Sequence, residues 1–227
     1  MITTASQLNN AGLPAPLLAL QPHLRHITGA AMTREDEQAA ALCGNLGYHL
    51  NSIADYAAAR PYYERALAIN EQALGPLHPD TALSLNNLGA LLQAQGDYAA
   101  ARPYYERALA IREQALGPLH PTTATSLNNL GALLRTLGEF AAARPYYERA
   151  LAIREQALGP LHPTTAGSLN NLAILLYYEK NYVEALPLMR RALAIRQQRL
   201  GPDHPDTQDS AQSLAVIEQA VQATSGP

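Results

Sequence analysis

The chain has 227 residues, a formal net charge of −3 and only 15% charged residues. No basic excess marks a nucleic-acid footprint, and no run of about 18 apolar residues offers a membrane span. Cys43 is the single cysteine, which excludes an intrachain disulfide and a cysteine-based zinc site and fits a reducing cytoplasm. Residues 1–32 share no pattern with the rest of the chain. They lack a basic leader, and their apolar stretch Leu13–Leu20 is short and broken by Pro14 and Pro16, which argues against a secretory signal. Within them, Pro16–Ile27 reads as a helix that covers the first helix hairpin of the chain.

From residue 33 the chain repeats. Ala-Arg-Pro-Tyr-Tyr-Glu-Arg-Ala-Leu-Ala-Ile occurs at Ala59–Ile69, Ala101–Ile111 and Ala143–Ile153, and a diverged copy runs from Ala185 to Ile195. Pro61, Pro103, Pro145 and Pro187 are each 42 residues apart (103 − 61 = 42). A fixed period of this size is the signature of a solenoid, in which each repeat stacks on its neighbours. The repeats fall at about 33–75, 76–117, 118–159 and 160–201.

The second repeat shows the internal pattern. Leu85, Leu88, Leu91 and Leu92 recur at helical spacing and predict an amphipathic helix A over Thr81–Gln95. His78-Pro79 opens it, proline suiting a first helical position because its missing N–H would be unpaired there anyway. Gly96-Asp97 closes it. A helix B is predicted from Ala99 to Leu116, with Tyr105, Ala108, Leu109 and the Ile111 or Arg112 flank on one face. Pro103 falls early in helix B, where its cost is smaller than at the centre. Gly117-Pro118 ends the repeat, as Gly75-Pro76, Gly159-Pro160 and Gly201-Pro202 end the others. The predicted fold class is all-α, an α-solenoid of antiparallel helix hairpins. Residues 202–223 begin a fifth helix A in which Glu218 replaces a core leucine, and they read as a polar closing helix. Residues 224–227 read as a disordered tail.

The pattern Leu88, Gly89, Leu92, Gly96, Tyr98, Ala101, Tyr105 and Ala108 resembles a tetratricopeptide repeat. The usual unit has about 34 residues. The longer helix B and the His-Pro-x-Thr start of helix A are similar to the repeats of kinesin light chains and of many bacterial multi-repeat proteins. The likeness covers roughly Thr33 to Gly201. It implies a superhelix whose A helices line a concave, partner-binding face.

On that resemblance the asparagine before the Leu-Gly step, at Asn45, Asn87, Asn129 and Asn171, is expected to contact bound peptide. Its amide offers a donor and an acceptor and suits a peptide backbone; an inter-helix hydrogen bond is the competing structural role. The same helical stripe continues at Tyr48, at Gln93, at Arg135 and at Tyr177. It varies between copies that are otherwise nearly identical: repeats two and three differ at only seven positions, two of them Gln93 against Arg135 and Leu83 against Thr125, a pattern that fits specificity in a groove or drift on a solvent face. In the kinesin light chain pattern, Arg112, Arg154 and Arg196 near the end of helix B reach into the groove and meet acidic residues. The alternative is simple complementarity to the helix dipole. Leu83, Thr125 and Gly167 stand where that family often carries further lysines, which weakens any preference for acidic ligands.

Other repeated residues read as structural. His78, His120, His162 and His204 lie one repeat apart, too far to share a metal at about 2.0–2.1 Å. Tyr63, Tyr105 and Tyr147 fit a packing slot between helices, and Cys43 stands where later copies have a core leucine. Enzyme signatures such as a P-loop or Gly-x-Ser-x-Gly are absent from the sequence. The expected function is a non-catalytic scaffold for an extended peptide or helix of a partner protein, with no cofactor or metal, no nucleic acid and no membrane. Its oligomeric state is left open, with a monomer favoured. Two other readings are a self-associating structural solenoid and the sensor region of a bacterial NTPase signalling system.

Overall fold

A computed structural model describes residue 29 and residues 32–224. The helix expected over Pro16–Ile27 and the tail at 225–227 lie outside these residues. Among the described residues there are nine α-helices of several turns and no strands. The chain divides into two compact units, Met1–Leu116 and Gly117–Pro227.

The first unit contains two helix hairpins: α1 (Glu37–Ser52) with α2 (Tyr56–Ala73), and α3 (Pro79–Ala94) with α4 (Tyr98–Leu116). Leu46 and Leu50 of α1 meet Ala59 and Tyr63 of α2 and Leu88 and Leu91 of α3 in one buried cluster. Ala82, Leu85, Ala108 and Ile111 form a second cluster between α3 and α4. The four leucines expected to face inward from α3 are all buried, as are Tyr105, Ala108, Leu109 and Ile111 of α4.

The second unit contains the hairpins α5 (Pro121–Thr136) with α6 (Phe140–Leu158) and α7 (Pro163–Tyr178) with α8 (Tyr182–Leu200), followed by α9 (Pro205–Thr224). Ala166, Leu169, Ala192 and Ile195 join α7 to α8. Helix α9 buries only Thr207, Ser210 and Ile217. Its Glu218 pairs with Arg190 of α8 at 2.8 Å, so a charge stands on the face where earlier copies carry a leucine. Thr224, expected in the tail, instead closes α9, its hydroxyl donating to the carbonyls of Ala220 and Val221.

The His-Pro-x-Thr start of α3, α5, α7 and α9 has a local physical cause, whereas α1 is capped by Asp36, whose carboxylate accepts the Ala39 N–H. Nδ1 of His78, His120, His162 and His204 accepts the N–H two residues on, at 3.1–3.2 Å, and so acts as the N-cap. Proline takes the first helical position. The threonine hydroxyls of Thr81, Thr123 and Thr165 donate back to the carbonyls of Gly75, Gly117 and Gly159 at 2.8–2.9 Å. The motif therefore satisfies helix-end groups and the preceding turn together. The A-to-B turn needs one residue in the left-handed region. Gly96 and Gly138 supply it, but Ala54 (φ 61°) and Lys180 (φ 60°) adopt it in the outer copies.

Candidate functional site

In the first unit, the stripe on the A helices borders an open cleft of about 410 Å³ between α1 and α3. Asn45 and Tyr48 reach it from α1 and Asn87 from α3, so three of the residues singled out by the repeat meet in one place. Both asparagines are half-buried and Tyr48 is exposed. Glu37, Asp80 and the buried Asn70 also line the cleft. Gln93, farther along α3, accepts a hydrogen bond from the Tyr105 hydroxyl at 3.0 Å. That contact holds it against helix B.

In the second unit, Arg135 and Tyr177 border a recess of about 310 Å³ with Ile174, Tyr178 and Ile217. The Arg135 guanidinium lies 5.6 Å above the Tyr178 ring, within cation–π range. The same aromatic group is packed on its other sides: Phe140 stacks on Tyr178 at 5.6 Å, and Tyr177 meets both Tyr178 and Tyr182. Asn171 donates from its amide to Oδ1 of Asn128 at 3.2 Å, so here the inter-repeat role is realised. Asn129 is half-buried on α5.

The arginines at the end of helix B are placed differently from a groove-facing side chain. Arg112 is 3% and Arg154 8% exposed. Arg154 donates to the Ser168 hydroxyl (2.9 Å) and the Thr164 carbonyl (3.3 Å) at the start of α7, and to Thr125 Oγ1 of α5 (3.4 Å). Arg196 makes the corresponding bonds to Ser210 (2.6 Å) and the Asp206 carbonyl (2.9 Å) of α9. In the first unit Asn70 reaches Ser84 (2.9 Å) and the Asp80 carbonyl (3.1 Å). In each of these three cases, the end of helix B is thus tied to the next helix A within the unit. Burial away from water lowers the pKa of the Arg112 and Arg154 guanidinium groups. The serine partner was the missed signal: Ser84, Ser126, Ser168 and Ser210 recur at the same 42-residue period as the arginines.

The remaining repeated residues serve packing and capping. Tyr63, Tyr105 and Tyr147 are buried, and burial raises the pKa of each phenol. Cys43 is fully buried, and desolvation pushes its thiol up to about 11. Its Sγ lies 3.9 Å from the Met32 sulfur. Among the described residues no group of His, Cys, Asp and Glu has the arrangement of a metal site, and no helix is long and apolar enough to cross a membrane.

Stacked helix hairpins with a capped His-Pro-x-Thr start define an all-α helical-repeat protein of the solenoid class. The family is then fixed by comparison. Tetratricopeptide repeat profiles match residues 37–114 and 82–156, and a second profile of the same name matches 165–206. The chain belongs to the tetratricopeptide repeat family, and its repeats are of the kinesin light chain-like type. No curated protein sequence matches it. Among solved structures it is similar to BtubC (BKLC) from P. vanneervenii, with 26% identity and a TM-score of 0.72 over 97% of this chain and 83% of that one. It is also similar to a Podosopora anserina protein of kinesin light chain type with nearly identical TPR-like repeats (25% identity, TM-score 0.69, 80% of this chain and 85% of that one). The apo form of RapI, at 17% identity and a TM-score of 0.70 over 87% of this chain and 69% of that one, shares the fold. Tetratricopeptide repeats imply a protein-interaction scaffold, and no catalytic family is indicated.

Proposed function

We propose that this chain is a non-catalytic scaffold that holds an extended segment of a partner protein against the exposed stripe of its A helices. The observation that carries this reading is the meeting of Asn45, Tyr48 and Asn87 along one open cleft in the first unit. Neighbouring helices pack about 8–10 Å apart, and an extended peptide rises about 3.3 Å per residue. Asn45 and Asn87 would then meet the peptide backbone about every third residue, each able to donate and accept. Arg154 and Arg196 act in this reading as internal ties between helices, and the aromatic recess beside Arg135 offers the second unit an apolar anchor.

Each hydrogen bond contributes about 0.5–1.5 kcal/mol net. Asn45→Ala or Asn87→Ala alone should therefore weaken a selected peptide by about 2- to 12-fold, and the double variant should weaken it by about the product. The test is a peptide-display selection on the full chain beside the double variant, with helicity checked by circular dichroism. Enrichment that survives both changes refutes the asparagine contact.

A further inference from the structure

We infer that the cleft between α1 and α3 is a pocket for a cationic side chain, arginine or lysine, of the bound partner segment. This rests on the groove reading and specifies what its first unit recognises. The repeat itself supplies the internal comparison. In the second unit the corresponding space holds the Arg154 guanidinium, which touches Thr125 Oγ1, Ser168 Oγ and the Thr164 carbonyl. The first unit carries a smaller residue at three of the positions that fill this space. Asn70 replaces the arginine, Ala41 stands where the second unit has Thr125, and Gly44 stands where it has Asn128. Asn70 still reaches Ser84 and the Asp80 carbonyl. The helix tie is thus kept with a shorter side chain, and all three smaller residues line the open cleft, whose other walls include Leu83 and Tyr48 where the second unit has Gly167 and Ala132.

Gly44 has no packing reason to be glycine. A Cβ there would meet nothing within 4 Å, whereas a Cβ on Gly47, one turn along the same helix, would lie 2.8 Å from the Tyr63 ring. Glycine inside a helix is destabilising relative to alanine, so Gly44 weakens α1 and returns only space on the cleft side. Among the described residues the charge lining that space has one sign: Glu37 and Asp80 contribute carboxylates, and none of the described lysines or arginines lines the cleft. Nδ1 of His78 lies 3.8 Å from Asp80 Oδ2, and it accepts the Asp80 N–H, so that nitrogen presents a lone pair rather than a proton. An arginine or lysine head would find carboxylate, amide and phenol acceptors where the protein's own guanidinium sits in the second unit. Hydrogen bonds to an ionised partner are roughly twice as strong as neutral ones.

The test uses a random-peptide display library selected on the full chain and on the Gly44→Asn/Asn70→Arg double variant. That variant restores the residues of the later copies, and its helicity and melting temperature are checked. The expected result is enrichment of arginine or lysine at one fixed position on the parent. On the double variant that preference should be lost while other positions stay enriched. An enriched peptide resynthesised with citrulline for arginine should bind the parent about 10-fold more weakly, with the gap narrowing as salt is raised. Enrichment without a basic position, or a basic preference that survives in the double variant, overturns the inference and leaves the groove reading standing. Absence of any enrichment overturns both. Self-association that the double variant abolishes would assign the pocket to a second copy of the chain and overturn the partner assignment.

Discussion

Adding one methyl group at Gly47 should destabilise the first unit, although glycine is a poor helix residue. A Cβ built on Gly47 lies 2.8 Å from two carbons of the Tyr63 ring and 3.1 Å from a third. The ring is 2% exposed and is held by Leu46, Leu50, Leu88 and Leu91, so it has little room to retreat. Replacing glycine by alanine in a helix gains about 1 kcal/mol, and overpacking a tight core costs about 1–3 kcal/mol. The expected net effect of Gly47→Ala is a loss of about 1 kcal/mol. The protein itself records the compensating change. Three copies pair glycine with tyrosine (Gly47 with Tyr63, Gly89 with Tyr105, Gly131 with Tyr147), and the fourth pairs Ala173 with Met189, both fully buried. Gly47→Ala and Tyr63→Met together should therefore cost less than the sum of the two alone, with a coupling of about 1–2 kcal/mol. Urea unfolding followed by circular dichroism measures the four corners of the cycle. Amide exchange in α1 and α2 localises the effect, because repeat arrays open unit by unit. A Gly47→Ala variant more stable by the full helix-propensity gain, or a coupling near zero, would refute the steric account.

Ala54→Gly and Lys180→Gly should each stabilise the chain by roughly 0.5–1 kcal/mol, because both residues hold φ near 60° where two other copies use glycine; thermal melts read this directly. His162→Ala removes the N-cap of α7 and should cost about 1 kcal/mol, whereas His162→Asp should keep most of it, measured by urea denaturation. Cys43 should resist iodoacetamide at pH 8 in the folded chain and react fully in urea, followed by mass spectrometry. Its raised pKa of about 11 keeps the thiol protonated well above neutral pH, and unfolding removes the burial that raises it.

The fold was legible because each repeat carries the same punctuation. His-Pro marks where α3 starts and Gly-Asp where it stops, and four leucines at helical spacing mark which face is buried. The stripe carrying Asn45, Tyr48 and Asn87 was legible for the same reason, since its asparagine recurs at one register position in every copy while the residues three and six places on change. The direction of Arg154 was not. Its position at the end of helix B fits a groove and a helix dipole equally well, and the bond it makes to Ser168 of the next helix is visible only once the helices are packed. The recurring serines carried that information, but a small hydroxyl at a helix start has many local uses and does not announce an arginine partner.

Near-identical copies also give each departure from the common pattern a physical meaning that a single sequence lacks. Where alanine replaces glycine, methionine replaces tyrosine, and the core stays filled. That is a departure closed by compensation. Around the cleft of the first unit Gly44, Ala41 and Asn70 are smaller than the side chains at the matching positions of the second unit, while Tyr48 and Leu83 are larger than Ala132 and Gly167 there, and among the described residues the space beside the three small residues opens to the surface next to Asn45 and Asn87. Stability alone would favour refilling it, because a Cβ at position 44 would clash with nothing and would relieve a helix of an interior glycine. A cleft that a side chain at position 44 could fill, that is lined by two carboxylates and that lies beside Asn45 and Asn87 is what a binding site costs the scaffold, which is why the pair Gly44 and Asn70 is the place to put the decisive substitutions.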